Sequence, residues 1–187
     1  MPGAGGVDKS GFANGSEGIA LGGGYVLNAK GALISGANSA ILVDDGSGGS
    51  GQAATTLENF GTIQGLDGFG VKFVGEFDDN VINGGTISAS NGLALDLGGG
   101  NDSLTLHNGS RFIGVVDGST GYDRVVMDDV AGGSFGDSRH FEWLEVKQGA
   151  WTLTGNGDFS DGGAVRSGAT LINQGGIAGN LSVDSGG

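Results

Sequence analysis

Residues 57–63 read LENFGTI, and residues 81–87 read VINGGTI. An apolar residue, an asparagine, a glycine and a Thr-Ile pair recur at an offset of 24. Self-similarity of this length decides the fold before any local propensity does. Looser copies lie at Asn28-Ala29-Lys30-Gly31-Ala32-Leu33-Ile34 and at Asn173-Gln174-Gly175-Gly176-Ile177. Each copy follows a short apolar stretch: Val26-Leu27, Leu57, Val81-Ile82 or Leu171-Ile172. Each leads on to a further apolar run, such as AILV at 40–43, GVKFV at 70–74 and LALDL at 93–97.

One turn of a parallel β-helix takes about this many residues, and equivalent positions on successive turns then stack ~4.8 Å apart. Asparagine at a repeated corner has a physical reason. It tolerates the left-handed backbone region, and its amide can bond to equivalent amides above and below. Asn59, Asn83 and Asn173 are therefore the expected structural corner residues. Leu93-Leu95-Leu97, Leu104-Leu106 and Leu181-Val183 alternate as half-buried strands do, and no helical period is sustained. The chain is expected to be all-β: a right-handed, three-sided parallel β-helix, or β-solenoid, of roughly 7–9 coils with about 20–24 residues each. Val, Ile, Leu and Phe should point inward, and Asp, Asn, Ser, Thr and Gly outward. Residues 44–56, DDGSGGSGQAATT, break the rhythm and are expected to bulge from one coil as a loop.

Composition agrees. Glycine accounts for 44 of 187 residues and proline for one, without a collagen-like period. A hydrophobic share of 37% is too large for simple disorder and suits short strands joined by tight glycine turns. The net charge of −13, with 8 Lys and Arg, repels polyanions, so nucleic acid and anionic lipid are excluded as expected partners. The acidity serves solubility. There is no cysteine, so packing alone must hold the fold. The opening MPGAGGVDKSG has no apolar signal-peptide core, and no 18-residue apolar run offers a helix to insert in a membrane. The chain is expected to be a piece of a longer one.

Residues 95–106, LDLGGGNDSLTL, approach the calcium-binding nonapeptide G-G-x-G-x-D-x-U-x, with Leu97 in place of its first glycine. GSTGYDRV at 118–125 is a second partial fit. Calcium in such repeats sits between tandem copies, where short turns bring aspartates together. Asp102 and Asp123 are 21 residues apart with no tandem copy. They are the metal candidates, but the favoured expectation is two glycine–Asp corners on neighbouring coils, with no cofactor. Catalytic patterns fare worse. Gly132-Gly133-Ser134-Phe135-Gly136 fits G-x-S-x-G, yet nothing helical follows it. Phe135-Gly136-Asp137-Ser138 imitates an esterase block whose base would be a later histidine, and none follows His140. Gly46-Ser47-Gly48-Gly49-Ser50-Gly51 fits G-x-G-x-x-G by low complexity alone. Asp44-Asp45, Asp78-Asp79 and Asp128-Asp129 read as solvated turn carboxylates, and His107 with His140 makes no metal spacing. No catalytic residue is expected.

LDLGGGNDSLTLHNGSRFIGVVDGSTGYDRVVM at 95–127, followed by FEWLEVKQGAWTLTG at 141–155, resembles the passenger of a type Va autotransporter. A glycine–Asp corner, a GS…G…VDG stretch and a second G-x-D-x-(V/L) corner precede the autochaperone region in that family. The resemblance covers about residues 55–187, while the N-terminal quarter matches only in style. It implies passenger coils over 1–140 and autochaperone-like coils of the same solenoid over 141–187. In the latter, Trp143 and Val146, with Trp151 and Leu153, are expected to form large apolar rungs. It also implies a β-barrel translocator further along, and secretion through the outer membrane to the bacterial surface or beyond. The implied role is that of an adhesin or self-association factor without enzymatic activity. Host cell surface, extracellular matrix, glycan or another copy of the chain would be the partner. The alternatives are an inert folding and display stalk, or a β-helical polysaccharide-active enzyme.

Overall fold

An inward-facing column runs through the molecule: Val26, Leu57, Val81, Leu104, Val125, Leu144, Gly163 and Leu181, each in parallel register with the next. The computed structural model describes residues 16–187. Among these there is no helix, and parallel strands stack as a β-solenoid of about eight turns. The repeat and the strict alternation dictate this. Each turn buries one side-chain column against the next, and each strand satisfies its backbone on the strands above and below.

Three faces result. The first consists of Gly24–Asn28, Thr55–Asn59, Asn80–Asn83, Ser103–Leu106, Arg124–Asp128, Phe141–Gln148, the end of Gly157–Val165, and Leu181–Val183. The second holds Leu33–Gly36, Thr62–Gly65 and the starts of Thr86–Asp96 and Arg111–Asp117, and continues with Gly133–Phe135, Ala150–Leu153 and Thr170–Asn173. The third runs from Ile19–Leu21 through Ile41–Val43, Val71–Phe73 and the ends of the two long strands to Ser138–Arg139.

The turns are not equal. Along the column the interval falls from 31 residues, Val26 to Leu57, through 24, 23 and 21 to 18 between Gly163 and Leu181. The first interval, Val26 to Leu57, and the last three, of 19, 19 and 18 residues, lie outside the expected 20–24. The longest turn carries the anticipated loop, which ends at 54, because Thr55 and Thr56 already belong to a strand. Asp44 and Asp45 fold it locally by accepting the amides of Gly46 (2.9 Å) and Ser47 (2.8 Å). The later turns shorten by losing a corner. Gly99–Gly100 pairs with Thr120–Gly121 on two middle turns, whereas Ser138–Arg139 leads almost directly into Phe141–Gln148.

The core changes character along the axis. The early turns pack mainly Val, Ile and Leu, but Phe135, Phe141, Trp151 and Phe159 are fully buried in the last ones. Phe112 and Phe135 meet edge to face, with centroids 6.0 Å apart. Trp151 is 0% exposed, and its indole N–H donates to the Gln148 carbonyl at 2.9 Å. Gly133 faces that ring, and a Cβ there would lie 2.8 Å from Cζ3. Trp143 departs from the expected rung. Leu144 and Val146 point inward and are fully buried, so alternation turns Trp143 outward, half-buried, in register with Arg124 and Gly162. At the C-terminal end Val183 is 62% exposed although it continues the column of buried Val146 and Val165, because no described turn covers it.

Candidate functional site

Two buried polar columns run parallel to the apolar core. In the first, asparagine occupies the inward end of one strand on three successive turns. Asn28 Nδ2 donates to Asn59 Oδ1 at 2.8 Å, and Asn59 Nδ2 to Asn83 Oδ1 at 2.7 Å. Asn83 Nδ2 then closes the series on Ser110 Oγ at 2.9 Å. Each oxygen of Asn59 and Asn83 also accepts the amide two residues on, from Gly61 at 3.2 Å and Gly85 at 3.3 Å. Beyond Asn83 the register passes to Leu106 and Met127, and the column becomes apolar.

Asn173 does not join it. It lies in Thr170–Asn173 on the second face, in register with Leu153, and is exposed. It keeps the corner chemistry, its Oδ1 accepting the Gly175 amide at 3.1 Å, without a stacked partner. The local pattern repeats while the place on the turn does not.

The second column is built from carboxylates. One oxygen of Asp79 accepts the Thr55 amide of the turn before it. Asp102 accepts the Asp79 amide at 2.7 Å, Asp123 the Asp102 amide at 2.7 Å, and Glu142 the Asp123 amide at 2.6 Å. Each acid stands two residues before the inward Val or Leu of its strand. Glu142 has the longer reach required once the glycine corner has gone. Asp102 and Asp123 thus occupy adjacent rungs. Each is almost wholly buried, and its second oxygen, Oδ2, has no hydrogen-bond partner. Burial pushes the Asp102 carboxyl up to about 8, Asp123 to about 7 and Asp79 to about 6, against the pull of the amides they accept. Nearby carboxylates push the same way.

A third row places two buried acids between two cations. Lys72, Asp96, Asp117 and Arg139 stand in register on consecutive turns. Lys72 Nζ meets Asp96 at 2.8 Å, while Asp117 takes Arg139 on one oxygen and His140 Nδ1 on the other, both at 2.7 Å. The acidic pairs noted in the sequence split between partners. Asp78 accepts the Asn101 amide, Asp128 the Lys147 ammonium and Asp129 the amides of Asn108 and Ala131. His107 lies 3.8 Å from Asp129. Ser134 lies in the strand Gly133–Phe135, exposed, and not on an elbow leading to a helix. Among the described residues no three His, Asp or Glu side chains are grouped so as to hold a metal ion.

Asp79, expected from the sequence to be a solvated turn carboxylate, is instead buried in the acidic column, because its oxygen accepts the amide of the preceding turn. Glu142, Asn28 and Ser110, which complete the columns, were not singled out from the sequence as site residues. The acidic set carries a readable signal, an acid two places before each inward aliphatic, but only once the changing turn length is known. What the arrangement can do chemically is bind protons and cross-link turns. No family model, no curated protein and no solved structure matches the chain.

Proposed function

We propose that this chain is part of an autotransporter-type passenger, displayed on or released from a bacterial surface, whose outward sheet makes adhesive contacts. The observation that carries this is the outward side of the first face. There Leu27, Glu58, Ile82, Thr105, the buried Val126 and Glu145 form one file, and Tyr25, Thr56, Asn80, Ser103, Arg124 and Trp143 the next. Tyr25 is 60% and Leu27 53% exposed. A long face mixing aromatic, aliphatic and hydrogen-bonding side chains suits contact with a glycan, a matrix protein, a host cell or another copy of the chain. The motifs shared with autotransporter passengers support the same reading. Binding of the purified protein to host cells, matrix proteins and a glycan array, with sedimentation for self-association, is the test. Tyr25→Ser with Leu27→Ser should weaken whichever contact is found by about tenfold or more, on the scale of a lost interface anchor. Binding to none of these, and no self-association, would reduce the chain to a scaffold.

A scaffold role has its own support in the aromatic block of Phe135, Phe141, Trp151 and Phe159. A stable set of terminal turns nucleates the stacking of its neighbours in a solenoid. Removing 141–187 from the secreted protein should then leave the remaining turns protease-sensitive at the surface. Undiminished protease resistance would refute the folding role.

A further inference from the structure

The carboxylate column has a property that neither adhesion nor display requires. Four hydrogen bonds, from the amides of Thr55, Asp79, Asp102 and Asp123, tie adjacent turns together through acid side chains. In Asp102 and Asp123 only one oxygen does this work. The other is shut away from water with nothing to bond to. A carboxylate ion in that position loses its hydration without compensation, whereas a proton on the orphaned oxygen removes the charge and leaves the amide bond intact. We propose that Asp102 and Asp123 are held as neutral carboxylic acids in the folded chain, making the column an acid-favoured clasp between turns that slackens as the medium becomes alkaline.

The surroundings point the same way. The charged groups that act on Asp102 are Asp79, Asp78 and Asp123, and those that act on Asp123 are Glu142, Asp117 and Asp78. Arg124, Arg139 and His140 are engaged elsewhere. Arg124 Nε donates to Ser103 Oγ at 3.1 Å, and Arg139 and His140 both hold Asp117. Gly118 lies against the column, where a Cβ would come 2.8 Å from Asp123 Oδ2, so the pocket around the orphaned oxygen is closed.

The sign follows from linkage. The folded chain holds these protons more tightly than the unfolded chain, in which an aspartate ionises near its ordinary value of about 3.9. Their contribution is complete below that value and is lost as the pH rises through about 7 to 8. Asp128 behaves oppositely. The Lys147 ammonium holds its carboxyl below the ordinary range, so that contribution disappears only in stronger acid. Greatest stability therefore falls at mildly acidic pH.

The test is the apparent Tm of the whole chain at about pH 5 and about pH 9, in chelator at fixed ionic strength, for wild type and for Asp102→Asn combined with Asp123→Asn. Asparagine keeps the acceptor oxygen and carries no charge at either pH. Wild type should lose several degrees on going to alkaline pH. The double variant should lose less than half as much and melt above wild type at the alkaline end. A wild-type Tm that is flat or rises over this range, or an equal fall in the variant, would overturn the proposal. So would restoration of the alkaline Tm by calcium, which would make the pair an ion site. If the variant does not fold, infrared spectra of aspartate-labelled wild type at about pH 6 decide. The carbonyl band of a neutral acid must persist where exposed aspartates are ionised, and its absence would refute the clasp.

Discussion

A buried asparagine survives only if its amide is fully employed. Asn59 meets that demand: Nδ2 donates to Asn83 and to the Thr86 carbonyl, and Oδ1 accepts from Asn28 and Gly61. Asn59→Ala removes all four bonds and strands polar groups of Asn28 and Asn83 in a closed interior. The expected loss is about 2–4 kcal/mol, since each buried group left unpaired costs on the order of 1–3 kcal/mol. Asn173→Ala, in a similar local sequence, deletes one exposed corner bond and should cost no more than about 0.5 kcal/mol. Urea unfolding of the two variants side by side measures the contrast. Equal losses would mean that the corner bond, and not the stack, carries the energy.

At the scale of single turns, the two tryptophans separate what packs from what covers. Trp151 is enclosed between neighbouring turns, with Gly133 and Leu171 in register on either side. Trp151→Ala should cost about 3–5 kcal/mol, as large aromatic deletions in a core do. Trp143→Ala, on the outward side of its strand, should cost about 1 kcal/mol or less. Fluorescence checks the assignment independently. Emission from the Trp143→Ala variant, which retains Trp151, should be blue-shifted and resist acrylamide quenching. Emission from a variant retaining only Trp143 should be quenched readily. Gly133 adds a steric corollary: Gly133→Val forces a branched side chain into the Trp151 ring and should destabilise the same turns.

For the whole molecule, stability in a solenoid is a sum over turns and their contacts, so it need not be uniform. The turns of Arg124–Asp128 and Phe141–Gln148 have neighbours on both sides and the aromatic core beneath them. The 44–54 loop and the uncovered Leu181–Val183 strand have the least. Amide hydrogen exchange should be slowest in the former and fastest in the latter. A uniform profile would show that the chain unfolds as one unit. The charge of −13 adds a second expectation. Self-repulsion is screened by salt, so the Tm should rise between low and physiological ionic strength.

The 24-residue recurrence of LENFGTI in VINGGTI, with alternating aliphatics and abundant glycine, was enough to read a parallel solenoid. Stacking is the one arrangement that buries the same face of every turn. The 21-residue spacing of Asp102 and Asp123 was likewise readable as two corners on neighbouring turns. Asn173 and Trp143 show where that legibility stops. The Asn-x-Gly corner is local chemistry, an oxygen accepting the amide two residues on, and it looks alike on any face. Whether such an asparagine is buried in a column or left in solvent depends on what lies above and below it. That in turn depends on how the intervals shrink from 31 to 18 residues. The same applies to the acids. Asp79 and Glu142 enter the column only through the register of whole turns, and the closed environment that disfavours charge on Asp102 and Asp123 is made by neighbours far away in sequence. The sequence by itself determined that turns would stack. Only the tertiary structure decided which side chains meet between them, because register is a property of many residues at once and burial belongs to none of them singly.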